Sequence, residues 1–184
     1  MEQSSIQGVN QQERLLCWLG GIIDGEGCIT INHHRLHKQT KRETLLFTPI
    51  LVIANTSKAM IDTARIILSD HSIPFYIQYQ PKAQVESYAS SNGRERKDRW
   101  YLRVEGLKRV SRALNLLAPY ILIKKDETSL VKEFCDRRLG IGKERFKFYD
   151  VRDFEIIEEV AKIHNRNPQR LHAEILEYRS RNKI

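Results

Sequence analysis

The sequence predicts an α+β fold: an αββαββα core carrying a four-stranded antiparallel sheet, followed by C-terminal helices. Two observations predict it. Apolar residues recur at helical spacing in several separate segments, and short period-two runs stand in pairs between them. No clear linker, low-complexity tract or second copy of the opening segment divides the chain, so these elements are expected to share one domain.

The elements follow in order. Residues 1–11 are polar and read as a flexible N-terminus; residues 12–142 form the core, and residues 143–184 extend the same domain with helices. Gln12 to Asp24 has helical character, with Leu15, Leu16, Leu19, Ile22 and Ile23 as its apolar positions. Gly25 and Gly27 are expected to stop it, since glycine tolerates the left-handed turn after a helix. Cys28–Asn32 alternates as a strand, residues 33–43 form a basic excursion, and Leu45–Ala54 is a second strand. Thr56 or Ser57 can cap a helix whose face is Met60, Ile61, Ala64, Ile67 and Leu68. Phe75–Gln80 and Trp100–Glu105 supply the third and fourth strands, separated by a polar loop. Leu107, Val110, Leu114 and Leu117 mark a helix that Pro119 ends. Two further apolar faces, Leu130–Leu139 and Val151–Ala161, precede a last helix opened by Asn167-Pro168.

The chain has 184 residues, 41% of them hydrophobic, and a formal charge of +8. That charge points to a polyanionic partner, nucleic acid first. No apolar stretch reaches a membrane-spanning length, and the start has no basic region leading into an apolar run. Cysteines at 17, 28 and 135 are odd in number and form no C-x-x-C pair, which fits an intracellular home, organellar or in a prokaryotic cytoplasm.

The stretch WLGGIIDGEGCITI, residues 18–31, poses the chemical question. Asp24 and Glu26 lie at a helix C-terminus, where the peptide dipoles already place about half a negative charge. Solvation relieves this, and so does a divalent cation. Mg²⁺ suits such a place because it takes a carboxylate, a carbonyl, waters and phosphate oxygens. The glycines beside Glu26 leave room for a phosphate backbone, and Gly21 and Gly25, four apart beside Gly20, allow close helix packing.

LGGIIDGEG, residues 19–27, resembles the signature of the LAGLIDADG homing endonucleases, and the order of elements over residues 12–125 matches that family's core. The resemblance implies a site-specific endonuclease that makes staggered double-strand breaks and promotes mobility of its host intron or intervening element. One motif per chain implies a homodimer, with Trp18, Gly20, Gly21 and Asp24 at the interface and the acidic tips meeting at the cleavage centre. It also implies that Glu26 binds the metal, Mg²⁺ or Mn²⁺ in its place, with help from the Gly25 carbonyl. Asp24 is assigned a structural part. Asn55 takes the place of an amide that orders the attacking water, though it equally suits the start of the turn before the helix. Lys124 takes the place of a lysine near the scissile phosphate, with Lys125 as the alternative.

The family lays its strands in the major groove of double-stranded DNA, where base edges are distinguishable. Alternation then sends Cys28, Thr30, Asn32, His34 and Lys38 toward DNA, with Gln78, Gln80 and Lys82 on the third strand and Tyr101 and Arg103 on the fourth. The second strand fits least well. Leu46, Thr48, Ile50 and Val52 would face DNA, only Thr48 is polar, and Pro49 disfavours a central strand. A splicing maturase or a non-cleaving DNA-binding regulator of the same fold is the alternative. No membrane partner or small-molecule substrate is expected. GIGKER, residues 140–145, lacks the third glycine and the preceding strand of a phosphate loop, and His33, His34 and His37 do not make a metal site.

Overall fold

The computed structural model describes residues 2–36, 44–82, 97–140 and 149–182. Helix α1 (Glu2–Glu26) leads into strands β1 (Gly27–Leu36) and β2 (Thr44–Asn55), then α2 (Lys58–Asp70). Strands β3 (Tyr76–Gln80) and β4 (Arg99–Glu105) are followed by α3 (Leu107–Leu117), a 3₁₀ turn at Ala118–Tyr120, and α4 (Lys125–Gly140). Helices α5 (Val151–Ile163) and α6 (Pro168–Asn182) complete the described chain. The sheet order is β1-β2-β4-β3 and every neighbouring pair is antiparallel. The α+β class and the four-stranded sheet are as the hydrophobic periodicity predicts.

Local chemistry explains most boundaries. The Ser57 hydroxyl accepts the Met60 N–H at 3.4 Å and so caps α2. Asp150 and Asp153 form a reciprocal capping box at the start of α5. Gly106, between β4 and α3, has φ +93°, a conformation that L side chains resist.

Four expectations are corrected. Helix α1 begins at Glu2, ahead of the start expected near Gln12. The helix also runs through Glu26, and neither Gly25 nor Gly27 takes a left-handed φ. Gly27 is needed for a different reason: a Cβ there would lie 2.7 Å from the Ile23 carbonyl oxygen. Strand β1 continues through Leu36, into the segment expected to be a loop. Finally, Pro49 stands in a central strand. Its carbonyl accepts the Gly106 N–H at 3.0 Å, so its amide edge faces the β4 side, one residue beyond the last β2–β4 pair, Ile50 with Glu105. The ladder to β1 therefore loses no donor.

One sheet face is apolar. Ile29, Ile31, Phe47, Leu51, Ile53, Leu102 and Val104 are buried there and join a core that runs in sequence from Leu16 to Tyr178. The C-terminal helices belong to this core. The Tyr149 hydroxyl accepts the Phe47 backbone N–H at 3.0 Å, and its ring packs among Phe47, Phe134, Phe154 and Tyr178. Beneath it, buried Arg138 reaches Asp153 at 3.2 Å and lies over the Tyr149 ring at 4.6 Å. Among the described residues, no helix is long and apolar enough to cross a membrane.

Candidate nuclease centre and nucleic-acid face

The tip of α1 resolves the two acids into different parts. Asp24 turns back into its own chain: its carboxylate accepts the backbone N–H groups of Leu122, Ile123 and Lys124 at 2.7, 3.1 and 3.0 Å. Burial alone would raise its pKa, but these three donors and the nearby Lys124 charge hold the carboxyl below its ordinary value. A depressed native pKa contributes stability that is fully present above the ordinary aspartate range. It is lost as pH falls through the native value. Asp24→Asn is therefore expected to be less stable than wild type at neutral pH, with the difference closing below about pH 4. Chemical denaturation at a series of pH values measures it, and a gap that widens on acidification contradicts it.

Lys124 completes the arrangement. Its ammonium donates to the Ile23 carbonyl at 3.0 Å and makes a still shorter contact with the Asp24 carbonyl, both in the last turn of α1. A cation on free carbonyls at a helix C-terminus offsets the dipole that made two acids improbable there. Lys125, the alternative, opens α4 and is exposed.

Glu26 is exposed, and among the described residues no hydrogen bond or ion pair engages its carboxylate. Gly25 is exposed too, and a Cβ there would meet nothing within 4 Å. An exposed carboxylate beside an open carbonyl suits Mg²⁺, which keeps several waters and takes substrate phosphate for the rest. Among the described residues no group of three or more His, Cys, Asp or Glu could hold a metal, so these donors alone do not form a closed cage. Asn55 ends β2 two residues past Ile53, the partner of Gly27, and thus lies at the Glu26 end of the sheet. Its Oδ1 accepts the Ser57 N–H at 2.7 Å and closes the turn into α2.

The glycines of α1 also separate. A Cβ on Gly20 would lie 2.3 Å from the Tyr120 carbonyl oxygen, so Gly20 serves packing within the chain. Gly21 is exposed with nothing within 4 Å, while Trp18 packs partly against the chain's own core. Gly20→Ala is expected to cost about 1–3 kcal/mol through overpacking. In the isolated chain Gly21→Ala should instead gain up to about 1 kcal/mol of helix stability. Thermal melts of both variants at low protein concentration check the contrast.

The sheet face opposite the core is the polar one, and cross-strand register shows its rows. Asn32 stands opposite Thr48, Thr30 opposite Ile50, and Cys28 opposite Val52. Val52 is opposite Arg103 and Arg103 opposite Tyr76; Ala54, Tyr101 and Gln78 make another row, and Gln80 faces Arg99. The outward set read from alternation thus shares one face, including the apolar members of β2. His34 and Gln78 are exposed, while Asn32, Thr48, Gln80 and Arg103 are half-buried. The Tyr101 hydroxyl donates to Gln80 Oε1 at 3.0 Å, and the Arg103 guanidinium lies 5.5 Å from the Tyr101 ring centre. Lys82 follows β3, its backbone N–H bonded to Asp98. Thr30 and its partner Ile50 are the exceptions, only 2% and 1% exposed. Lys38, most of GRERKDR (93–99) and most of GIGKER lie outside the described residues.

No protein-family sequence profile matches this chain, and no curated protein does. Solved structures match clearly. The homing endonuclease I-TnaI superposes with a TM-score of 0.56 at 16% identity, over 88% of this chain and 96% of its own. An archaeal intron-encoded homing endonuclease complexed with DNA gives 0.56 at 14% identity, over 82% and 84%. I-CvuI, in complex with a DNA target in the presence of Mg, gives 0.52 at 16%, over 82% and 78%. The chain has the LAGLIDADG homing-endonuclease fold.

Within the LAGLIDADG frame the chain matches 43% of the longer I-GzeII, with a TM-score of 0.50 and 19% identity. Two features beside these residues are not read from the sequence. Leu122 and Ile123, whose amides hold Asp24, leave their own apolar side chains 68% and 80% exposed beside the α1 tip. Arg166, between α5 and α6, reaches onto the polar face of the LAGLIDADG sheet, where it contacts Cys28, Thr30 and Asn32. The asparagines at 165 and 167 hinted at a tight corner, but nothing in the sequence told which strand that corner would meet.

Proposed function

We propose that the chain is a homing endonuclease: a homodimer that cuts both strands of a long pseudo-palindromic DNA target in a Mg²⁺-dependent phosphodiester hydrolysis. Such cleavage would promote the mobility of its host intron or intervening element, in an organelle or a prokaryotic cell. The carrying observation is Glu26, exposed at the tip of α1 with open Gly25 before it, at the end of a polar sheet face.

Glu26 and the Gly25 carbonyl would hold the metal, with Mn²⁺ able to replace Mg²⁺. When bound, the ion supplies charge stabilisation at the phosphoryl oxygens and a means of activating water. The chain's own residues do the rest. Asp24 anchors the 122–124 loop to the helix tip, and Lys124 carries positive charge to the same end of α1. Asn55, at the adjacent strand end, offers an amide once its turn contact is discounted. The polar face, with Gln78, Tyr101 and Arg103, meets the major groove, and surrounding basic residues supply sequence-independent phosphate contacts.

The dimer is supported by the open edge of α1. Cys17, Gly21 and Gly25 are exposed at four-residue spacing, and Leu122 and Ile123 add uncovered apolar surface at the same tip.

The test uses a duplex spanning the uninterrupted insertion site. Mg²⁺ should give a staggered double-strand cut that EDTA abolishes. Binding without cleavage in either Mg²⁺ or Mn²⁺ would overturn the enzyme reading. Elution at the mass of one 21.6 kDa chain, with and without DNA, would overturn the dimer.

A further inference from the structure

Several described arginines of the C-terminal helices are paired with carboxylates, and Arg166 is not among them. Arg137 and Arg138 pair with Asp153, Arg152 with Glu133, Arg170 with Glu174 and Arg181 with Glu177. Among the described residues no carboxylate pairs with Arg166. Its guanidinium instead donates to neutral acceptors on the polar sheet face: Asn32 Oδ1 at 3.1 Å, Thr30 Oγ1 at 3.5 Å and Cys28 Sγ at 3.6 Å. These three residues are the outward row of β1, so the guanidinium lies across the face and not along its rim.

The corner that carries it is firmly built. Asn165 and Asn167 hold φ of +49° and +42°, which asparagine tolerates better than most residues. The Arg166 N–H donates to the Ala161 carbonyl at 3.0 Å, and Asn167 Oδ1 accepts the Arg170 N–H at 3.3 Å. His164 Nε2 meets the Ile29 carbonyl of edge strand β1 at 2.8 Å, which fixes the corner to the sheet. Thr30 beneath it is almost fully buried and has no surface to offer a base.

We propose that Arg166 reads a guanine in the major groove, presenting its fork to the N7 and O6 acceptors in place of Thr30. The inference rests on the DNA-binding function proposed above. The chemistry fits: guanidinium carries donors in a fixed planar fork, and arginine to guanine is the commonest specific contact in that groove. Its present partners are uncharged and are exchanged for base acceptors without stranding a buried ion pair.

Selection from a pool of randomised duplexes, in Ca²⁺ to hold cleavage off, tests it with wild type, Arg166→Ala, Arg166→Lys and Thr30→Val. Wild type should enrich a motif with guanine at one defined position in each half. Both arginine variants should lose preference at that position and keep it elsewhere. Affinity of Arg166→Ala for the wild-type motif should fall roughly 5- to 150-fold. Thr30→Val should select the wild-type motif. If Arg166→Ala does not fold, Arg166→Lys carries the same comparison. Two results overturn the inference alone: an unchanged motif in the arginine variants, or a uniform loss across all sequences with the salt slope smaller by about one, the mark of a phosphate contact. A wild-type protein that enriches no motif overturns the DNA reading of the whole face, and this inference with it.

Discussion

Glu26→Gln is expected to slow Mg²⁺-dependent cleavage by about a thousand-fold or more, while DNA binding in Ca²⁺ is kept or strengthened. The substitution is nearly isosteric, and Glu26 is exposed at the end of α1, so the fold has little reason to respond. What changes is charge. A carboxylate holds a divalent ion where an amide holds it poorly, and losing a negative charge beside phosphates removes repulsion from the bound state. Single-turnover cleavage together with an equilibrium binding assay separates these effects. Cleavage at the wild-type rate would remove Glu26 from the metal site and with it the assignment of the α1 tip.

Asp153→Ala carries the largest stability effect, expected at about 3–5 kcal/mol. Asp153 is fully buried and lies 3.2 Å from buried Arg138 and 3.4 Å from Arg137. Its carboxylate also accepts the Asp150 N–H, as one half of the capping box of α5. Truncation therefore removes the carboxylate facing a buried cation and half of a helix cap together. Denaturant unfolding measures the loss. A decrease below about 1 kcal/mol, the usual worth of a surface pair, would mean that water reaches this site freely.

Sequence legibility divided along the range of the interactions. Strand and helix identities were readable because each rests on a local period, and the outward parity of Cys28, Gln78, Tyr101 and Arg103 followed from alternation alone. The apolar row of β2 looked wrong in the sequence because alternation says which residues share a face, not what covers them. The two acids of the motif read as neighbours in charge conflict. Their separation depends on amides at Leu122–Lys124, nearly a hundred residues away, which no local pattern announces. The contact that Gly20 makes within its own chain was hidden for the same reason. Small-residue spacing shows that something approaches closely, and here that is Tyr120 of the same chain. Arg166 sat unnoticed among many basic residues because what distinguishes it is its reach across the outward row of β1, a property of three dimensions.

The hydroxyl of Tyr149 on the Phe47 amide spans 102 residues of sequence. Synthesis proceeds from the N-terminus, so β2 emerges from the ribosome long before the aromatic cluster that covers it. The loop this contact closes must be ordered before the contact rewards it, which places it among the slower events of folding. A nascent chain halted before Tyr149 would hold a sheet whose Phe47 edge is uncovered, a surface suited to association with other unfinished chains. Covering of the Phe47 edge of β2 thus waits on synthesis of the segment that carries Tyr149.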